Sequence, residues 1–240
     1  MTNYCATACR SRWRLRKSRI SDEIFRLGSL LARRLVLAVV LGFPCVAGAA
    51  NTLIVFGDSI SAGYGLPQGA GWVSLLSARM AKAAPDYKVV NASISGETLA
   101  GGRRRIESVL EQHKPAVVIV ELGGNDGLRG APIEAIESDL AAIVDACLAR
   151  KVRVMVLGMR LPPNYGATYV QRFQQVYTVV AQKRPVTFVP FLFEGFAERH
   201  ELFQPDGIHP AREAQSLMLE SVWKPLAPLL TQGRHARAPK

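Results

Sequence analysis

From residue 52 onward the sequence predicts an α/β domain built on a mainly parallel sheet. Two features lead to this. Short apolar runs alternate with longer amphipathic stretches, which is the rhythm of strands joined by crossover helices. Polar loops rich in Gly, Asn and Ser follow the apolar runs, and in open sheets of this kind ligands sit at the carboxyl ends of the strands. At 240 residues the chain suffices for one well-buried domain and is short for two.

Five runs are candidate strands: Thr52 to Phe56, Tyr87 to Asn91, Ala116 to Glu121, Val152 to Gly158 and Val186 to Val189. Helices are expected over Gly71 to Ala84, Leu99 to Gln112, Thr168 to Lys183 and Ala211 to Leu226. The clearest helix follows the third strand. There Ile133, Ile136, Leu140, Ile143, Val144, Cys147 and Leu148 recur at three and four residues, with Pro132 at the start, where the first helical turn tolerates it.

The formal charge of +11 would suggest a nucleic-acid or membrane-surface partner if it were spread evenly. It is not. Residues 1–49 hold nine Lys/Arg against Asp22 and Glu23, which leaves 21 basic and 17 acidic groups beyond them, a surplus of four. No nucleic-acid partner is expected. A basic stretch ending in Arg33-Arg34, an apolar run from Leu35 to Val46 and the small residues Ala47-Gly48-Ala49 form a signal-peptide pattern, with cleavage near Ala49 and a periplasmic or secreted product. The apolar run is shorter than the roughly 20 residues needed to span a bilayer, so no stable membrane anchor is expected in the mature chain. Removing this segment removes Cys5, Cys9 and Cys45 and leaves Cys147, read as a small buried hydrophobe. The tail over 233–240 is short and basic and is expected to be disordered.

The residues that carry chemistry fall at strand ends. Val55-Phe56-Gly57-Asp58-Ser59 turns an apolar strand abruptly at a glycine and presents a serine. A serine hydroxyl needs a neighbouring base to become a nucleophile. Asp206-Gly207-Ile208-His209-Pro210 places a carboxylate three residues before an imidazole, close enough to orient the ring and stabilise the imidazolium. Donors for a developing oxyanion are available in the N–H groups of Ser59 and Gly96 and the side-chain amide of Asn125. Each piece alone has a bland reading: Gly-Asp-Ser and Asp-Gly are common in turns, and Gly123-Gly124-Asn125-Asp126 suits a flexible loop. Their joint occurrence at successive strand ends argues for a site. Arg103-Arg104-Arg105 is read as the solvated face of a helix. No metal-ligand spacing and no glycine-rich phosphate or dinucleotide fingerprint is present, so neither metal nor cofactor is expected.

With these residues in view, the chain resembles the GDSL, or SGNH, hydrolases. Their four blocks are matched by Gly57-Asp58-Ser59, by Gly96 within Asn91 to Thr98, by Gly123-Gly124-Asn125-Asp126 and by Asp206-Gly207-Ile208-His209. Within the family it is similar to the branch of periplasmic acyl-CoA thioesterases that also act as arylesterases and lysophospholipases, through Val120 to Gly130 and Arg160-Leu161-Pro162-Pro163-Asn164-Tyr165-Gly166. The resemblance covers residues 52 to 230. It implies a three-layer α/β/α flavodoxin-like fold over 50–232, a Ser59-Asp206-His209 triad, and an oxyanion hole of Ser59, Gly96 and Asn125.

The function expected is hydrolysis of small acyl esters or thioesters, the acyl chain lying along apolar loop surface that includes Leu128, Leu161, Pro162 and Tyr165. A carbohydrate deacetylase with the same triad is the alternative within enzymes. A non-catalytic lipid- or envelope-binding protein on the same fold is the alternative outside them.

Overall fold

The computed structural model describes residues 50–235, with side chains as far as Thr231. The expected leader over 1–49 and the tail beyond His235 lie outside the described residues.

Strand β1 (Asn51–Gly57) carries Leu53, Ile54, Val55 and Phe56 with no solvent exposure, so it belongs in a sheet covered on both faces. It is flanked by β2 (Tyr87–Asn91) and β3 (Val117–Glu121), and β4 (Arg153–Leu157) and β5 (Thr187–Val189) continue beyond β3. All pairings are parallel, and the order is β2-β1-β3-β4-β5. After β1 the chain steps to one side and then returns to build the other, so the winding direction switches beside β1. A crevice forms at such a switch point, outside the carboxyl ends of the strands.

The crossovers supply the outer layers. Helix α1 (Ser59–Ala62) and α2 (Trp72–Ala83) join β1 to β2; α3 (Leu99–His113) joins β2 to β3; the short α4 (Gly124–Leu128) and α5 (Ile133–Ala149) join β3 to β4; α6 (Ala167–Gln182) joins β4 to β5. Right-handed crossovers place helices on opposite faces when the winding reverses. Accordingly α2 packs with the last helix, α7 (Gln215–His235), while α3, α5 and α6 pack side by side. This is a three-layer α/β/α domain with a parallel five-stranded sheet, as the sequence predicts.

Three local differences have physical causes. The short helices α1 and α4 were not foreseen, because four or five residues carry no helical period. The expected helix start at Ala211 is instead a 3-10 turn over Arg212–Ala214. Helix α7 also runs past Leu226 and Gln232 to His235, through Pro225 and Pro228. Each interior Pro costs the helix a hydrogen bond, which burial of Leu226, Leu229 and Leu230 offsets; the Arg153 guanidinium also donates to the Leu229 carbonyl. Cys147 is buried, and burial pushes its thiol up to about 12, which agrees with its reading as a hydrophobe. Among the described residues no helix is long and apolar enough to cross a membrane.

Candidate active site

At the end of β1 the chain must turn within one residue, and Gly57 permits it. A Cβ there would meet Glu121 Oε2 at 2.6 Å and Ser61 Oγ at 2.8 Å. Asp58 then caps α1, its Oδ1 accepting from the Ile60 N–H at 3.0 Å, a favoured N-cap arrangement. Ser59 is the first helical residue. The loop leaving α1 is closed by Gly63 and Tyr64 N–H groups, both donating to the Ser59 carbonyl.

Across the crevice, the segment from Phe203 to Pro210 is a closed loop. Its ends pair as an antiparallel bridge, the Gln204 N–H donates to the His209 carbonyl at 2.8 Å, and Gly207 takes a positive φ of 67°. One oxygen of Asp206 accepts from the backbone N–H groups of Ile208 and His209, at 2.9 and 3.0 Å. The other lies 2.7 Å from His209 Nδ1. An ionised carboxylate only accepts, so this contact sets the tautomer with Nδ1 protonated and Nε2 free to accept. Partial burial pushes Asp206 up, but the two N–H groups and the ring outweigh it and hold the carboxyl below its ordinary value. His209 Nε2 lies 2.8 Å from Ser59 Oγ.

Two contacts fix the loops to each other. Gln204 Nε2 donates to the Tyr64 carbonyl at 2.8 Å. Gln215 accepts from the Trp72 N–H at the start of α2 and donates to the Pro210 and Ala211 carbonyls. The exposed Tyr64 ring packs over His209, with centroids 4.7 Å apart and planes at 40°.

Gly96 and Asn125 approach from the ends of β2 and β3. Ile94 to Glu97 forms a turn closed by the Glu97 N–H on the Ile94 carbonyl, with Gly96 at φ 79°; a positive φ at the third position, as in type II turns, favours glycine. The Ile94 N–H donates to the Gly57 carbonyl, which docks this turn beside the serine. Among the described residues the N–H groups of Ser59 and Gly96 donate to no other protein group. Asn125, on α4, donates from Nδ2 to Asp58 Oδ2 and to the Glu97 carbonyl, each at 3.0 Å. Asp126 accepts from the Leu99 N–H at 2.9 Å and so joins the two loops.

The structure thus brings Ser59, Asp206, His209, Gly96 and Asn125 to one mouth. Leu128, Leu161, Pro162 and Tyr165 are gathered beside it: the Tyr165 hydroxyl donates to the Leu128 carbonyl at 3.2 Å. Leu161 packs so tightly on α4 that a Cβ at Gly127 would meet it at 2.8 Å. Leu161 is 7% exposed, so it contributes mainly support, whereas Pro162 is exposed and Leu128 and Tyr165 half-buried.

Several contributors escaped the sequence reading. Asp58 is 1% exposed; burial raises its carboxyl to about 6, against the Ile60 N–H, His209 and Asn125. Arg105 does not belong to the solvated face assigned to it. Its guanidinium lies 4.3 Å over the Phe56 ring and donates to Glu97 and to the Ala92 carbonyl, at 3.0 and 2.9 Å, bracing the Gly96 turn. Among the described residues no group of His, Cys, Asp or Glu could hold a metal ion.

The sequence profile of the GDSL-like lipase/acylhydrolase family matches residues 55–217. The chain belongs to this family. It is 50% identical over 182 residues to "Esterase TesA" of Pseudomonas aeruginosa, covering 76% of this chain and 90% of that protein. It is 40% identical over 184 residues to "Thioesterase 1/protease 1/lysophospholipase L1" of Escherichia coli, covering 77% and 87%. The crystal structure of TesA superposes with a TM-score of 0.73 at 49% identity, covering 75% of this chain and 99% of that one. The protein is therefore a GDSL-family hydrolase of the esterase or thioesterase kind.

Proposed function

We propose that this GDSL hydrolase cleaves fatty acyl esters and thioesters through a covalent acyl-Ser59 intermediate. One observation supports the reading above the others: the hydrogen-bonded line from Ser59 Oγ through His209 to Asp206, at 2.8 and 2.7 Å. Ser59 Oγ attacks the acyl carbonyl carbon as its proton passes to His209 Nε2. Asp206 keeps the Nδ1 proton and stabilises the imidazolium. The oxyanion is met by the N–H groups of Ser59 and Gly96 and by the Asn125 amide, which turns one hydrogen from the Glu97 carbonyl toward it. His209 then protonates the leaving alkoxide or thiolate. Water enters, loses a proton to His209 and attacks the acyl-serine, releasing the acid and restoring Ser59.

The acyl chain lies against Leu128, Pro162 and Tyr165, backed by the buried Leu161, a mainly apolar surface suited to methylenes rather than sugar hydroxyls. The test is turnover of acyl-thioesters, aryl esters, lysophospholipids and acetylated sugars by residues 50–240, with Ser59→Ala as control. Fatty acyl compounds are expected to lead the panel; acetylated sugars leading it would favour the deacetylase.

We also propose, from the basic stretch and apolar run alone, that residues 1–49 direct export. N-terminal sequencing of exported protein is expected to start at Ala50 or Asn51, and a start before Leu35 would contradict this.

A further inference from the structure

The last residue of β3, Glu121, is fully buried and stands opposite Gly57 in the sheet register. Its side chain lies beneath the turn that carries the nucleophile. Ser61 Oγ is 2.6 Å from Glu121 Oε2, and the Asp58 N–H points to the same oxygen at 3.4 Å. Among the described residues the second oxygen, Oε1, has no partner. The missing Cβ of Gly57 is what admits this carboxyl. Behind it, the buried Tyr177 hydroxyl of α6 donates to the Leu122 carbonyl at 3.0 Å, fixing the strand end.

We infer that Glu121 is a positioning residue for Ser59, acting as a neutral, hydrogen-bonding acid that clamps the Gly57–Ser61 turn from below. This rests on the reading of Ser59 as nucleophile. A carboxylate buried with one oxygen unpartnered is strongly disfavoured, and the charged group whose field it feels, Asp58, has the same sign. A carboxylic acid avoids both penalties. Its Oε2 hydroxyl shares the 2.6 Å contact with Ser61 Oγ, and Oε1 becomes a carbonyl-type oxygen, far cheaper to leave unpaired. Burial and the Asp58 charge push Glu121 well above the usual carboxylate range, in the same direction. The clamp matters for chemistry because the turn carries both the attacking oxygen of Ser59 and its N–H. A displacement of about 1 Å in such a group can cost on the order of 100-fold in rate.

The test compares Glu121→Gln, Glu121→Leu and Ser61→Ala. Each is measured for kcat and KM on a p-nitrophenyl acyl ester and for the rate at which a p-nitrophenyl alkylphosphonate labels Ser59. The amide is a neutral isostere, so Glu121→Gln is expected to keep kcat and labelling within about threefold of wild type. Glu121→Leu fills the space without the hydrogen bonds. It is expected to lose about 10- to 100-fold in kcat and in labelling rate while KM changes less than about threefold, as a shift of the serine by up to about 1 Å implies. Ser61→Ala removes the other half of the clamp from a smaller side chain and is expected to lower kcat in the same direction. If Glu121→Leu fails to fold, that variant decides the matter. A Leu variant, or in its place Ser61→Ala, with wild-type kcat and labelling would show that Glu121 is only filler and would overturn the inference while leaving the Ser59 mechanism intact. A Gln variant as impaired as the Leu variant would overturn the neutral form. Wild-type protein unlabelled at Ser59 would overturn the mechanism itself and the inference with it.

Discussion

The Asn125 amide is held by the carboxylate of Asp58, Nδ2 to Oδ2, at 3.0 Å. Asp58 also caps the helix that begins with Ser59. One side chain therefore sets the turn that carries the proposed nucleophile, Ser59, and aims the Asn125 amide proposed as the third oxyanion donor. Asp58→Asn keeps the cap oxygen for Ile60 but turns an NH2 group toward the Asn125 NH2. The two donors repel and Asn125 swings away. The expected loss is on the order of 100-fold in kcat, the typical cost of one oxyanion donor, with KM little changed. Steady-state kinetics checks this, and a Asp58→Asn variant within a few fold of wild type would separate Asp58 from the oxyanion geometry.

Burial raises both Asp58 and Glu121 above their ordinary values. A carboxyl whose folded value exceeds its unfolded one stabilises the fold below the unfolded value, and that contribution is lost as pH rises through the folded value. For Asp58 the loss spans the ordinary carboxylate range up to about 6; for Glu121 it begins in the same ordinary range and continues well above it. The melting temperature of wild type is expected to fall as pH rises through this window, and that of Glu121→Gln to fall less. Melting curves at closely spaced pH values check the sign, and a Gln variant with the steeper fall would contradict it.

Much of this architecture was legible in the residues, and the remainder was hidden for reasons that particular positions illustrate. Ser59, Gly96 and Asn125 follow the apolar runs of β1, β2 and β3, and Asp206 and His209 flank Gly207 on one short loop, so motif and position in the fold coincide. Ile133 to Leu148 shows a helical period because the helix is long and one face is buried. Glu121 is different. In sequence it merely closes a valine-rich strand before a polar loop, and only the register with Gly57 reveals that the sheet carries its side chain under the turn. Arg105 misleads for the same reason, since two arginines precede it and nothing local says that its side chain lies over Phe56. Tyr64 and Gln204 meet across 140 residues of chain, a separation that no local pattern spans.

The Tyr64 ring, 4.7 Å from that of His209, lies where it can favour the His209 imidazolium of the proposed mechanism. An exposed cation–π contact contributes about 0.5–1 kcal/mol, a factor of roughly two to five in rate. Tyr64→Ala is expected to lower kcat/KM by that factor, with Tyr64→Phe close to wild type. Because Tyr64 is 55% exposed, the fold should survive both changes, and circular dichroism together with kinetics separates the effects. An unaffected Ala variant would remove the ring from the mechanism.

Acyl-chain preference follows from the surface beside Asn125. Each methylene buried there contributes up to about 0.8 kcal/mol, or roughly fourfold in binding. Values of kcat/KM for p-nitrophenyl esters are expected to climb from acetyl to at least medium chains. Leu128→Ser should flatten the climb without reducing acetyl turnover. Acetyl as the best substrate would contradict the placement of the chain.

Whether Ser59 forms the acyl-enzyme can be read from rapid acid quench during turnover of a medium-chain p-nitrophenyl ester, followed by mass spectrometry of the digested protein. The acyl mass is expected on the peptide containing Ser59, formed with a burst of nitrophenol and absent in Ser59→Ala, whose hydrolysis should fall to background. An acyl adduct on a different residue, or wild-type turnover by Ser59→Ala, would contradict it.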